Sequence, residues 1–311
     1  MELYFLGTGA GMPAKGRNVT AIAIRLEQER GAFWLVDCGE GTQHQVLSSP
    51  LRLGKLEKVF ITHLHGDHLF GLPGLLGSRS FQAGETPVTI YGPKGLRAFV
   101  QTALDVSQTH LAYPLSIVEI QPGVVFEDDQ FKVSCRPLTH GVTSYGYRFE
   151  EKPALGHLDG RRLAEEGVPK GPLYGRLKAG EDIQLPDGRV LRSTDYLTAP
   201  TPGRTIAILG DTKPCAAIDS LAHCADLLVH EATYAAEDAD KAHQHNHSTA
   251  TDAAQAASKA GVKQLVLTHI SARYEETDIA AMLAKTQAIF PATCVANDHW
   301  QIQIPRNAPL T

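Results

Sequence analysis

Four short apolar runs along the chain each break off at a polar residue able to bind a metal ion. Lys58-Val59-Phe60-Ile61-Thr62 leads into His63, and the alternating stretch 131–139 leads into His140. Thr205-Ile206-Ala207-Ile208-Leu209-Gly210 leads into Asp211, and Gln264-Leu265-Val266-Leu267-Thr268 into His269. Runs of this length, bounded by turn and polar residues, predict buried strands. In open α/β sheets the strand ends are where ligands gather. Val59-Phe60-Ile61-Thr62-His63 and Leu265-Val266-Leu267-Thr268-His269 echo one another, as they would if two halves each donated a strand-end histidine to one cleft. Thr249 and Asp252 have capping-box spacing ahead of an Ala-rich helix that runs to about Ala260, where Gly261 ends it. From Met1 to about residue 150, strand-like runs alternate with Gly-rich turns and helical stretches. Between about Lys152 and Pro200 the character changes to glycines and prolines with few buried-looking runs. The pattern predicts one α/β domain over residues 1–311, with 152–200 inserted as a projecting arm. A structureless stretch of that length is uncommon without a function.

The run His63-Leu64-His65-Gly66-Asp67-His68 adds chemistry to the first of these strand ends. Imidazole and carboxylate are ligands that divalent zinc favours, and this many at one turn can hold more than one ion. His140, Asp211 and His269 are the expected further ligands. The run resembles the signature of the metallo-β-lactamase superfamily, which implies an αββα sandwich and a binuclear centre. On that reading His63, His65 and His140 hold one ion, His68 and His269 hold the other, and Asp211 bridges them. Asp67 is a ligand of the second ion, an acceptor for the proton of the attacking water, or both; the resemblance supports the acceptor role. Two Zn2+ per subunit, with Mn2+ or Co2+ as substitutes, suit phosphodiester hydrolysis, where charge on the nonbridging oxygens must be neutralised.

A leaving alkoxide also needs a proton. His243, His245 and His247 alternate without a strand to fix them, which suits a third metal site poorly. His247, just ahead of a helix N-terminus whose dipole lowers an imidazole pKa, is the expected general acid. Glu231, in His230-Glu231-Ala232-Thr233, is the expected partner that orients it.

A net charge of −5 and a pI near 6.3 carry no global signal for nucleic acid. Any polyanion must therefore be met by a local basic surface or by the metal ions. Five cysteines, odd in number and without a CxxC pair, predict reduced thiols in the cytoplasm. The N-terminus has no signal-peptide pattern and no apolar run is long enough for a bilayer, so no membrane association is expected.

Beyond the superfamily, several segments resemble the short bacterial form of the ribonuclease Z family. They are Phe5-Leu6-Gly7-Thr8-Gly9-Ala10-Gly11, Pro13-Ala14-Lys15-Gly16-Arg17-Asn18, Asp37-Cys38-Gly39-Glu40-Gly41-Thr42-Gln43, Gly71-Leu72-Pro73-Gly74-Leu75-Leu76 and His230-Glu231-Ala232-Thr233. The likeness runs from Met1 to about Pro305. It implies endonucleolytic removal of the 3′ trailer from precursor tRNA, leaving a 3′-hydroxyl, by a homodimer whose one subunit holds tRNA while the other cuts. Gly171-Pro172-Leu173-Tyr174-Gly175-Arg176-Leu177-Lys178-Ala179-Gly180 is similar to that family's tRNA-gripping arm, which makes Arg176 and Lys178 candidate phosphate contacts. Arg17 and Asn18 are candidates for a backbone or 3′-end contact, and Arg273 for a bidentate phosphate contact near the metals. Two other readings compete: a small-substrate phosphodiesterase or thioesterase of the same fold, and a non-catalytic RNA-binding member. An arm argues against the first, and the full set of ligands against the second.

Overall fold

Val59, Phe60 and Ile61 show how the strands divide their side chains. Phe60 packs edge-on against Phe149 and Tyr147, with ring centroids 5.1 and 5.4 Å away. Val59 and Ile61, on the opposite face, join the helix residues Leu72, Leu75, Leu76, Leu96 and Val100 in a separate core. This alternation is the period-two geometry of a strand buried on both faces. The computed structural model describes residues 1–306 apart from residue 83.

The larger of two compact units comprises Met1–Glu127, Val133–Phe149 and Thr205–Ile304. Its first seven-stranded sheet runs, edge to edge, through Gln301–Gln303, Glu2–Gly7, Ala21–Leu26, Ala32–Val36, Leu56–Phe60, Val88–Gly92 and Leu115–Glu119. The second runs through Thr293–Val295, Leu265–Thr268, Leu227–Glu231, Thr205–Leu209, Tyr145–Glu151, Phe131–Pro137 and Gly123–Glu127. Trp34 and Phe60 of the first sheet meet Phe149 of the second, so the sheets pack face to face through aromatic rings. Burying one such ring contributes about 1.5–3 kcal/mol. Helices Leu72–Phe81 and Leu96–Val106 cover the outer face of the first sheet. Helices Ala216–Ala222, Ala250–Ala260 and Glu276–Ile289 cover that of the second. The result is the expected αββα sandwich.

All four anticipated strands are present, and His63, His140, Asp211 and His269 follow their ends. The two echoing segments lie one in each sheet. Helix Ala250–Ala260 has the expected capping box between Thr249 and Asp252, and Gly261 closes it at φ 65°.

The segment from about 152 to 200 departs from its reading as a stretch with few buried runs. Asp128–Lys132 and Glu150–Arg204 belong to a second unit. It contains helices Gly160–Glu165 and Pro172–Lys178 and a hairpin of Ile183–Gln184 with Val190–Leu191. Leu163, Val168, Leu177, Ile183, Leu185, Leu191 and Tyr196 form its core. Those apolar residues are spaced singly along the chain, so no run exposes them to a pattern search.

Candidate metal centre

The loop 63–68 is held at its start and end by Asp37, which follows strand Ala32–Val36 with φ 60°. Its carboxylate accepts hydrogen bonds from the Thr62 backbone N–H (2.7 Å), the Thr62 hydroxyl (2.8 Å) and His68 Nδ1 (2.7 Å). Two backbone hydrogen bonds, from Cys38 N to His68 O and from Gly71 N to Cys38 O, draw the two loops together. A Cβ on Gly39 would sit 2.3 Å from the Asp67 carbonyl oxygen, and one on Gly71 would sit 2.0 Å from that of Gly39. Only glycine permits that approach.

The hydrogen bonds also decide which imidazole nitrogens keep a lone pair. Asp37, a pure acceptor, takes the Nδ1 proton of His68. Thr62 donates to Asp37 and so accepts from His63 Nδ1 at 3.0 Å. Thr233 donates to Glu231 at 2.6 Å and accepts from His269 Nδ1 at 2.8 Å. The Asn246 carbonyl accepts from His140 Nδ1 at 3.0 Å. Each of these four rings therefore has its Nδ1 engaged and turns Nε2 toward the site, the arrangement typical of metal-binding histidine.

These lone pairs converge. His63 Nε2 lies 3.1 Å from His65 Nδ1, which lies 3.3 Å from His140 Nε2. An Asp211 oxygen is 3.7 Å from His63 and 4.0 Å from His140. In a second group, His68 Nε2 is 3.2 Å from His269 Nε2, and both lie 3.4 Å from Asp211. Asp67 Oδ2 stands 3.3 Å from His269 and 3.5 Å from His68. Lone pairs facing one another at such distances repel unless something cationic sits between them. Ligands 2.0–2.1 Å from a shared tetrahedral zinc lie about 3.3–3.4 Å apart, so the spacings match the edges of a coordination shell. The donor set fits two ions sharing Asp211.

Electrostatics follow the same logic. Burial and the neighbouring imidazoles His68 and His140 hold the His63 pKa well below its usual value. Burial opposes charge on His68, but Asp211 and Asp37 outweigh it and raise its pKa. Burial also disfavours the charged form of Asp67, yet the adjoining imidazoles of His269 and His68 hold its carboxyl below the usual range. The Gly11 N–H donates to the same Asp67 oxygen at 2.8 Å.

Beside these groups, Glu231 is buried at the end of strand Leu227–Glu231 and lies 2.9 Å from His247 Nδ1. Its oxygens also accept from the Thr212 N–H (2.8 Å) and from Thr233, which fixes the carboxylate in place. The expected lowering of the His247 pKa by a helix dipole does not appear. Burial does lower it, but the Glu231 carboxylate in direct contact dominates and lifts it to about 9. The His247 ring lies 5.0 Å from that of His140 and 5.7 Å from that of His269, over both donor groups. His243 pairs instead with Asp252 at 3.0 Å, and His245 stacks on Tyr234. A cleft of ≈190 Å³, lined in part by Gly11, Asp67, His247 and Ser271, opens onto the site. A larger hollow of ≈830 Å³ opens at the starts of the central strands, beside Arg30 and Lys55, away from this chemistry.

The candidate substrate contacts are placed unevenly. Arg17 is buried, and its guanidinium donates to Thr8, to the Ala296 carbonyl and to Asn297, so it braces the N-terminal loop instead of facing a ligand. Asn18 bonds the Glu40 carbonyl and Asp298. Arg273 donates to Ser271, on the cleft wall, and lies 4.8 Å over the Tyr234 ring. Arg176 pairs with Glu181 at 2.7 Å in the second unit, and Lys178 ends helix Pro172–Lys178.

Asp37 and Thr233, each inside a segment that resembles the family, are site residues to which the sequence assigns no role. Asp37 carries a signal, because it too is a carboxylate just past an apolar run, Phe33-Trp34-Leu35-Val36. Thr233 carries none, since its value comes from linking Glu231 to His269. Replacing Asp37 with Asn, which tolerates the left-handed backbone, keeps the shape but removes the charge behind His68. Metal affinity should fall about 10–100-fold with folding retained, as read by competitive metal titration and circular dichroism.

A family model described as Anti-Pycsar protein Apyc1 matches residues 1–154. A Ribonuclease Z from Bacillus velezensis is 53% identical over 308 residues, covering 99% of this chain and 100% of its own. Human tRNase Z, short form, superposes with a TM-score of 0.72 at 33% identity, covering 98% of this chain and 100% of its own. The metallo-β-lactamase fold protein YhfI from Bacillus subtilis, at 17% identity, covers 97% of this chain and 98% of its own with a TM-score of 0.66, a likeness of fold. Identity above half over nearly the whole length settles the relationship: the chain belongs to the ribonuclease Z family.

Proposed function

We propose that this protein is a zinc-dependent endoribonuclease that removes the 3′ trailer from precursor tRNA and leaves a 3′-hydroxyl on the tRNA. The observation that carries the reading is the pair of donor groups sharing Asp211, with the Glu231–His247 pair beside them. In this reading His63, His65, His140 and Asp211 hold one Zn2+, and Asp67, His68, His269 and Asp211 hold a second. Two such ions supply a water acidic enough to ionise near neutral pH and neutralise charge on the phosphodiester oxygens.

The remaining work falls to the chain. Asp67, anchored by the Gly11 N–H, is ionised and placed at the cleft to accept the proton of the attacking water. His247 keeps its Nδ1 proton on Glu231 and carries a further proton on Nε2 near neutrality, because Glu231 lifts its pKa to about 9. That Nε2 proton goes to the 3′-oxygen as its bond to phosphorus breaks, so the phosphate departs with the trailer. Arg273, on Ser271 at the cleft wall, is placed for a neighbouring phosphate.

A homodimer in the cytoplasm fits two further features. Phe70 is 62% and Phe81 93% exposed on the helical segment that follows the metal loop, a surface suited to a second copy. All five cysteines are unpaired, as a reducing compartment would keep them. Among the described residues no helix is long and apolar enough to cross a membrane.

The second unit is the proposed tRNA-holding arm, with Lys178 and Arg176 as phosphate contacts. Deleting residues 152–200 should weaken precursor-tRNA binding and flatten its salt dependence, since fewer counterions are released. Hydrolysis of a chromogenic phosphodiester should survive nearly intact. Unchanged tRNA binding by a variant with normal metal content and melting curve would remove the arm assignment.

Parallel assays on a 3′-extended precursor tRNA, a nitrophenyl phosphodiester and a thioester separate the competing readings. Chelator-sensitive cutting of the RNA supports the proposal. Turnover of the thioester alone would favour a small-substrate hydrolase, and RNA binding without cutting a non-catalytic member.

A further inference from the structure

Behind the loop that carries Asp211 lies a separate cavity of ≈360 Å³ that hydrolysis does not use. Ile218 and Ala256 give it apolar walls, and Asp219 and Lys259, paired at 2.7 Å, add a polar edge. Two reactive groups line it as well. One is Cys215, a half-buried free cysteine. The other is His230, 1% exposed, whose Nδ1 donates to the Glu231 carbonyl at 2.7 Å. Its Nε2 therefore carries a lone pair, with no hydrogen-bond partner among the described residues. An acceptor on a cavity wall with no donor from the protein is a place that a ligand N–H can satisfy.

We propose that this cavity is a modification site at which Cys215 takes up a small amide-bearing thiol as a mixed disulfide. The Cys215 sulfur attacks one sulfur of a low-molecular-weight disulfide. A bond forms between the Cys215 sulfur and that sulfur, the original S–S bond breaks, and the departing thiolate takes up the proton that Cys215 released. The disulfide supplies the oxidising equivalents, and excess small thiol reverses the exchange. The amide N–H of the attached group donates to His230 Nε2, and its short chain lies along Ile218 and Ala256. The cavity volume is at the lower end of the range for small-ligand sites, about 300–1,000 Å³.

Occupancy reaches the hydrolytic site through Thr212. Its Oγ1 lies 3.7 Å from the Cys215 sulfur, its N–H holds Glu231, and its carbonyl accepts from Ser248 at 2.6 Å. Turning the Cys215 sulfur into the cavity removes this contact and loosens the carboxylate behind His247.

The test uses the metal-loaded protein with N,N′-diacetylcystamine, a neutral disulfide with an amide on each arm, equilibrated with its own thiol. Exposed Cys224 is the internal reference. Peptide mass mapping should find Cys215 modified in preference to Cys224 by about tenfold, the scale of one good hydrogen bond. Diethyl disulfide, which has no donor, should lose that preference. Turnover of a substrate with a poor leaving group should fall several-fold with modification, recover on reduction, and be insensitive in Cys215→Ala. Equal labelling of the two cysteines, or equal preference with both disulfides, overturns the site. A Cys215 adduct that leaves turnover unchanged overturns the link through Thr212. The labelling result does not depend on hydrolysis, so failure of the nuclease reading would be seen separately.

Discussion

Asp211→Ala is expected to abolish hydrolysis of both RNA and small phosphodiesters and to lower bound metal. One Asp211 side chain stands 3.4–4.0 Å from His63, His68, His140 and His269, so it is the common member of both donor groups. On the proposed reading its loss removes a ligand from each ion and the negative charge that offsets them. Losing even four or so kcal/mol of charge stabilisation costs about 10³ in turnover. Asp211→Asn is the useful companion, because it preserves the buried volume while removing the charge. Metal analysis after gel filtration should find both variants depleted, with circular dichroism unchanged for Asn. Full metal occupancy and normal turnover in either variant would rule out the shared-ligand assignment.

His247→Ala should keep its metal yet lose about 10²–10⁴ in turnover on RNA, the range for a general acid. The geometry makes this separable from a ligand defect. His247 Nδ1 is committed to Glu231, and His63, His68, His140 and His269 have their own Nδ1 acceptors. A nitrophenolate leaving group needs no proton, so the same variant should be much less impaired on a nitrophenyl phosphodiester. Glu231→Gln should show the same substrate dependence in milder form, because the imidazole stays while its charged partner goes. Equal losses on both substrates would point to positioning of the phosphodiester instead of proton donation.

Much of the metal site was legible from strand patterns. His63, His140, Asp211 and His269 each follow an apolar run, and a strand end is a position that pattern alone can locate. The capping box at Thr249 and Asp252 was legible for a similar reason, since its two partners lie three residues apart. What pattern could not reach were interactions between distant segments. Asp37 meets His68 across a backbone contact between two loops, and Thr233 links Glu231 to His269 through one hydroxyl. Arg17 sits in a loop that carries Pro13 and Gly16, yet its partners Ala296 and Asn297 come from the far end of the chain. The core of the second unit was hidden because Leu163, Leu177, Leu185 and Leu191 come together only after its helices and hairpin fold. At His247 the helix dipole is too weak to set the pKa. A carboxylate at hydrogen-bond distance outweighs a partial charge at a helix end, which is worth only about 0.3–1 kcal/mol in most settings.

The most direct measurement is the cut itself. The metal-loaded protein is incubated with a single 3′-extended precursor tRNA, and both products are mapped to the nucleotide with their end groups identified. The expected result is one endonucleolytic cut that separates the trailer in one piece, with a 3′-hydroxyl on the tRNA and a 5′-phosphate on the trailer. A tRNA ending in a 3′-phosphate or cyclic phosphate, or a ladder of successive trimming products, would contradict it.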